Sequence, residues 1–427
     1  MTSRWLYSLL LWLATPLIRA YLRRRAKKQP AYLEHWDERW ARYSGPAPQP
    51  YDYWLHAVSV GEMRAAAPLI RALRQRDPTA RLLLSCMTPT GRETARELYG
   101  DSGDGPGADV VYLPYDRPAA VRRFLARFSP RCGLLLETEL WPNLIHGCAD
   151  AGVPLLLVNA RLSAKSAHGY ARVRWLLAPA LARLGAVLAQ GSDDAERLAL
   201  LGARHVKVCG NLKYDNQADA AVVARGRDWR ALFGDRPVLL VASSREGEEA
   251  LLLDGLDALP ARTLLIIVPR HPQRFDDVAA LIKARGLPLL RRSGWAATPM
   301  PDDVRVLLGD SMGELAAWYA CADVAVIGGS ILPFGSQNLI EACALGCPVL
   351  LGPSTFNFAD AAREALAAGA AWQGQDAPAL LREAAALLDD PPRRQAMGEA
   401  GAGFAERHRG ATARVLAVLD RHLSVRR

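Results

Sequence analysis

The chain has 427 residues, half of them hydrophobic, which is too long for one ordinary core and predicts two domains with an extra segment. Its seven cysteines are odd in number and irregularly spaced, which argues against a disulfide framework. Cys343 and Cys347 lack the nearby Cys or His that a metal site needs, so all seven read as reduced thiols of a cytosolic compartment. A net charge of +9 points to nucleic acid, anionic membrane or a phosphorylated substrate.

In chain order, the first element is an uncharged run of 14 residues from Trp5 to Ile18. That is short against the roughly 20 residues needed to cross a bilayer. Trp5, Tyr7 and Trp12 suit a membrane interface, and Pro16 predicts a bend. Arg19, Arg23, Arg24, Arg25, Lys27 and Lys28 follow as an acid-free cluster, with no small-residue cleavage site. An apolar segment beside a polybasic stretch is the two-signal pattern of membrane attachment, expected on the cytoplasmic side, either interfacial or as a short signal anchor. The alternative is an amphipathic helix docked on the protein's own core.

A proline-rich break over 45–52 separates this segment from a series of short apolar runs alternating with helical patterns. Strands are expected at 53–58, 81–86, 109–113, 133–137, 154–158 and 186–189, with a short one from Val206. Helices are expected at 62–75, 90–98, 117–127 and 168–183. A second series places strands at 237–241, 263–268, 287–290, 304–308, 323–327 and 348–351, then helices from about 377 to 424. This α/β alternation predicts two doubly wound, Rossmann-like domains facing a cleft, with a hinge near 206–236. The expected division is 1–45, 46–205 and 206–427.

Chemistry is expected where strands end. Val60 leads through Gly61 into Glu62, and the apolar run Leu134–Leu136 leads into Glu137 and Glu139. Ionised carboxylates beside such runs are costly unless paired or used, so the pair suggests acid/base chemistry. The bland alternative is a helix-capping Glu62 and a solvated Glu137/Glu139 pair. In the second half, Arg270 after Pro269 offers a fork for phosphate or carboxylate. Met312-Gly313-Glu314 opens a helix that could hold an anion, or Glu314 completes a capping box with Asp310 or Ser311. Gly328-Gly329-Ser330 ends a strand and lets backbone approach a phosphate. Asn338-Leu339-Ile340-Glu341 opens a helix whose Glu341 could meet ribose hydroxyls, although Gly-x-Gly-x-x-Gly is absent.

The motifs His56–Glu62, Met87–Gly91, Tyr112–Asp116, Glu137–Asn143, Asn159–Ser163, Val268–Pro272, Met312–Glu314, Gly328–Ser330 and Thr355–Phe358 occur in this order. The series resembles the 3-deoxy-D-manno-octulosonic acid (Kdo) transferases of Gram-negative lipopolysaccharide synthesis, over nearly the whole chain. The resemblance implies a metal-independent GT-B glycosyltransferase at the cytoplasmic side of the inner membrane. It would move Kdo from CMP-Kdo to the lipid A precursor lipid IVA, with inversion. It implies an acceptor-binding N-terminal domain and a CMP-sugar-binding C-terminal domain. Glu62 is then the general base, with Glu137 and Lys213 stabilising the transition state. Pro269-Arg270, Met312–Glu314 and Asn338–Glu341 match CMP-binding segments. Arg245 departs from the family's His, so the loop at 243–248 is assigned no catalytic role; separately, Ile331–Gln337 lacks the family's Gly-Gly-His before Asn338, which weakens the match to the CMP contacts there. The alternatives are another GT-B enzyme using a UDP-sugar, a transferase or an epimerase, or a non-catalytic membrane-bound nucleotide sensor. No nucleic-acid-binding motif is present.

Overall fold

The computed structural model describes residues 2–100 and 107–424. Their chain forms two compact units. One runs to Asn216 and is rejoined by the chain from Arg409, and the other spans Gln217–His408.

The first unit is built on a parallel sheet of seven strands: β1 Tyr53–His56, β2 Leu82–Cys86, β3 Asp109–Tyr112, β4 Gly133–Leu136, β5 Leu155–Ala160, β6 Ala186–Ala189 and β7 Val206–Val208. Their order is β3-β2-β1-β4-β5-β6-β7. Leu134 and Leu136 enter the hydrophobic cluster on one face and Leu135 the cluster on the other. This side-to-side alternation within an all-apolar strand is what a sheet covered by helices on both faces requires.

The second unit repeats the plan with β8 Val238–Ser244, β9 Leu264–Pro269, β10 Leu289–Arg291, β11 Val306–Leu308, β12 Val324–Ile327, β13 Val349–Leu351 and β14 Ala371–Gln373. Their order is β10-β11-β9-β8-β12-β13-β14, again all parallel. The edge strand β14 has three residues, too few to carry a recognisable pattern in the sequence.

The expected boundary at 205/206 is displaced. β7 pairs with β6 and so completes the first sheet. The last helix, Ala411–Ser424, also returns to the first unit, where Val415, Val418 and Leu419 join its core. Asp215 anchors this return by accepting the N–H of Gly410 at 2.6 Å and of Thr412 at 2.5 Å.

The N-terminal segment is one helix, Thr2–Ala26, which continues through Pro16. It is the one described helix long and apolar enough to cross a membrane, yet one side of it is docked on the first unit. Arg4 donates to Asn143 at 2.9 Å, the Tyr7 hydroxyl donates to Asp116 at 3.0 Å, and the Arg19 guanidinium lies 4.6 Å from the Trp40 ring centre. Leu22 and Ala26 are buried. The other side exposes Trp5, Leu10, Trp12, Leu13, Leu17 and Tyr21. All seven cysteines are unpaired and buried.

Candidate active site

The strand order of each sheet reverses direction at one point, between β1 and β4 in the first and between β8 and β12 in the second. Open α/β sheets bind ligands in the crevice beyond the strand ends at this point. Glu62 follows β1 and Glu137 follows β4, so the first crevice lies between the two acidic strand ends.

Glu62 lies in the helix Val60–Ala65, capped by Ser59. Its carboxylate accepts the N–H of Val58 at 2.6 Å and the Ser59 hydroxyl at 3.3 Å. The helix cap itself is Ser59, and the Glu62 carboxylate braces the two residues that lead into the helix, so the bland alternative of a helix-capping Glu62 holds only in part. Glu62 also has a perturbed proton affinity. Burial foremost, reinforced by the charges of Glu137 and Glu139, pushes its pKa up to about 7. Glu139 is likewise raised by burial and by Glu137, and it accepts the Trp141 indole N–H at 2.6 Å. Glu137 sits in the left-handed region at φ 58°, a strain that persists only where the surroundings enforce it. Glu62, Glu137 and Glu139 thus form one electrostatically linked, half-buried group rather than a solvated pair.

Lys213 lies beyond β7 at the same sheet edge, on the short turn Leu212–Asp215. Sequence reading gave no role to the polar residues that hold this turn, although Asn159 opens one of the motifs that carry the family resemblance. Asn159, at φ 54°, accepts the N–H of Leu212 at 3.0 Å, Asn211 donates to Gln190 at 3.0 Å, and Gln190 donates to the Asn159 carbonyl at 3.0 Å. The one signal for them in the sequence is Asn159 at the end of a buried apolar run.

The expected nucleotide-binding residues all fall in the second unit, beyond β9, β11 and β12. The Arg270 N–H bonds to the Ser244 carbonyl at 3.0 Å, which ties the Pro269-Arg270 turn to the end of β8. Met312 is exposed and Gly313 takes φ 78°. The helix starts at Leu315, so Glu314 makes no capping box. Its carboxylate instead takes both prongs of Arg292 at 3.1 Å, with Arg225 at 3.5 Å. Asn338 donates to Glu341 at 3.0 Å and caps Ile340 at 3.1 Å, so both polar side chains stand together. Leu339 and Ile340 are buried apolar side chains and belong to the core rather than to a ligand surface.

The phosphate cradle expected at Gly328-Gly329-Ser330 is corrected by the structure. These residues are buried, and Gly328 passes so near β8 that a Cβ there would lie 2.3 Å from the Ser243 carbonyl oxygen. The N–H groups of both glycines, and that of Ile331 after them, are already taken. Gly328 donates to the Ala242 carbonyl at 2.8 Å, and Gly329 and Ile331 donate to the Glu248 carboxylate at 2.7 and 3.0 Å. Glu248, in the loop given no role, also accepts the N–H of Arg245 at 2.9 Å and is wholly buried. Beside it, buried Glu249 holds Arg274 through hydrogen bonds of 2.6 and 3.0 Å.

Residues 34–216 match the family model described as 3-deoxy-D-manno-octulosonic-acid transferase (kdotransferase), and 295–404 match glycosyl transferases group 1. A 3-deoxy-D-manno-octulosonic acid transferase of Bordetella pertussis is 46% identical, covering 98% of this chain and 99% of that protein. One from Haemophilus influenzae is 36% identical over the same shares. A solved structure of UDP-GlcNAc 2-epimerase from Neisseria meningitidis shares the fold, at TM-score 0.57 and 14% identity, covering 87% of this chain and all of that one.

Proposed function

The chain belongs to the 3-deoxy-D-manno-octulosonic acid transferase family and is a glycosyltransferase, and from that premise we propose that it moves Kdo from CMP-Kdo to the lipid A precursor lipid IVA in lipopolysaccharide inner-core synthesis. The observation that carries the mechanism is Glu62, with its pKa raised to about 7, facing Glu137 across the crevice where the first sheet reverses. Glu62 takes the proton of the acceptor sugar hydroxyl as that oxygen bonds to the anomeric carbon of Kdo. The bond from that carbon to the CMP phosphate breaks, and the electron pair leaves with the phosphate. A single displacement of this kind inverts the configuration and needs no covalent nucleophile. The half-buried Glu137 stabilises the positive, oxocarbenium-like charge that develops on the sugar. Lys213 and Arg270 answer the Kdo carboxylate and the departing phosphate. Asn338 and Glu341 supply the polar groups for the nucleotide. The reaction so drawn needs no metal.

The test is mass spectrometry of lipid IVA incubated with purified protein, CTP, Kdo and a CMP-Kdo synthetase. The expected result is a gain of one or more Kdo masses. No gain from folded, detergent-solubilised protein would turn the search for a donor to UDP-sugars.

We further propose that helix Thr2–Ala26 lies in the interface of the inner membrane, cytoplasmic side, rather than crossing it. Its docked side carries the polar contacts of Arg4 and Tyr7, its outward side is apolar, and Arg23, Arg24, Arg25, Lys27 and Lys28 are exposed at its end to meet anionic lipid. Burying one leucine is worth about 1.5–3 kcal/mol. Replacing Leu10, Leu13 and Leu17 together by Gln should therefore lower partitioning onto phosphatidylglycerol vesicles more than about 100-fold in a flotation assay, with the fold retained. Undiminished flotation would show that this side does not face lipid.

A further inference from the structure

One cavity of the first unit opens beside the outward, lipid-facing side of the N-terminal helix. It has a volume of about 540 Å³ and lies between the N-terminal helix and the start of the helix Pro118–Phe128. Arg19, Arg23 and Arg117 line it together with Trp12, Leu13 and Pro16, and no acidic side chain among the described residues does. Its composition therefore falls into two parts, an apolar wall continuous with the outward side of the N-terminal helix and a group of three guanidiniums. Arg19 is held in place by Trp40, and its Nε is buried with no hydrogen-bond partner among the described residues.

The cavity also lies at the catalytic edge of the sheet. Arg117 follows Asp116, whose buried carboxylate accepts the N–H groups of Asn143 and Leu144 at 2.9 and 2.7 Å. Those two residues open the helix that follows the Glu137–Trp141 loop. The guanidinium group and the candidate base are thus presented along one rim of the first unit.

We infer that this cavity binds a phosphate monoester of the acceptor lipid. The inference rests on the function proposed above and adds a subsite to it. A phosphorylated glycolipid has the matching composition, with acyl chains for the apolar wall and a phosphate for the guanidinium forks. The shared rim favours the substrate over a bulk lipid, because a bulk headgroup has no need to approach the base.

The test uses the full-length protein in detergent micelles with bisphosphorylated lipid IVA and its chemically dephosphorylated counterpart. Each arginine offers the phosphate a charge-assisted hydrogen bond. Removing two of them, in the double variant Arg23→Gln, Arg117→Gln, should raise KM for the phosphorylated acceptor about tenfold or more, with kcat little changed. The wild-type preference for the phosphorylated acceptor should collapse towards one. Arg23→Lys, Arg117→Lys keeps the charge and should recover most of the affinity, which separates a binding role from misfolding. An unchanged preference overturns the inference. So does a double variant that is impaired only in binding phosphatidylglycerol vesicles, since the cavity would then hold bulk lipid. Direct micelle binding of the two lipids, measured without donor, gives the same readout even where no Kdo is transferred, so failure of the subsite and failure of the proposed reaction are distinguishable.

Discussion

Glu62→Ala should lower kcat for Kdo transfer by about 10²–10⁴-fold while the protein stays folded, because general-base assistance typically contributes that much. The prediction is sharpened by pH. Glu62 acts only when ionised, and its pKa is held up at about 7 by burial and by its acidic neighbours. In the wild type kcat/KM should therefore fall as pH drops through about 7, and Glu62→Ala should erase that limb. Stability carries the opposite sign. The folded state raises this pKa above the ordinary carboxylate value of 4.5, so protonated Glu62 is the form that the fold favours. Its contribution is full below about 4.5 and is lost as pH rises through about 7. Glu62→Gln, which mimics the protonated form, should then melt higher than wild type at about pH 8 and match it at about pH 4. A variant that transfers Kdo at near wild-type rate would remove Glu62 from the base role. A wild-type profile flat from about pH 6 to 8 would do the same for its titration.

The elements that are legible in the sequence are those whose pattern is local. Leu134–Leu136 reads as a strand buried on both faces because three consecutive leucines leave no polar side, and it is one. Glu62 and Glu137 stand out because an acid directly after such a run is chemically conspicuous. What is not legible depends on residues far apart in the chain. The return of the last helix to the first unit is secured by Asp215, which bonds residues 195 and 197 positions away. Glu248 escapes notice because an acid between glycine and a helix looks solvated. Its burial arises only because β8 and β12 are neighbours in the second sheet, so that a loop 81 residues on folds over it. The same contact explains the error at Gly328–Ser330. The glycines do permit close backbone approach, but the partner that approaches is the protein's own strand and carboxylate, not a phosphate. The docked side of the N-terminal helix has a signal that composition hides. Arg4, Tyr7 and Ser8 repeat at helical spacing within a run that otherwise reads as apolar.

Glu248→Ala should be among the most damaging substitutions in the second unit. The carboxylate accepts from Arg245, Gly329 and Ile331, all within 3.0 Å, in a site sealed from solvent. Removing it leaves three backbone donors unpaired, each costing about 1–3 kcal/mol, so a loss of about 3 kcal/mol or more is expected. For a unit of this size that corresponds to a fall in melting temperature of roughly 6–12 °C. Glu248→Gln keeps the shape but offers one acceptor oxygen instead of two and turns an amide donor toward a backbone N–H, so it should fall between alanine and wild type. The functional consequence follows from position. Glu248 holds the turn at the reversal point of the second sheet, and the segment from Ser336 to Asn338 hangs on that turn through Ser336 N–H to the Gly329 carbonyl at 2.6 Å and Gln337 N–H to the Gly328 carbonyl at 2.9 Å. Loosening it should displace Asn338 and Glu341 and raise KM for CMP-Kdo more than KM for the acceptor. Glu249→Ala provides the contrast. It leaves Arg274 facing Glu246 at 3.8 Å and takes the acceptor from the buried Ser244 hydroxyl, so it should destabilise by a comparable amount, about 3 kcal/mol, while Glu249 bonds no residue of the turn that carries Asn338. If Glu248→Ala melted within about 2 °C of wild type, or if both variants shifted the two KM values alike, Glu248 would not be the support of the nucleotide loop.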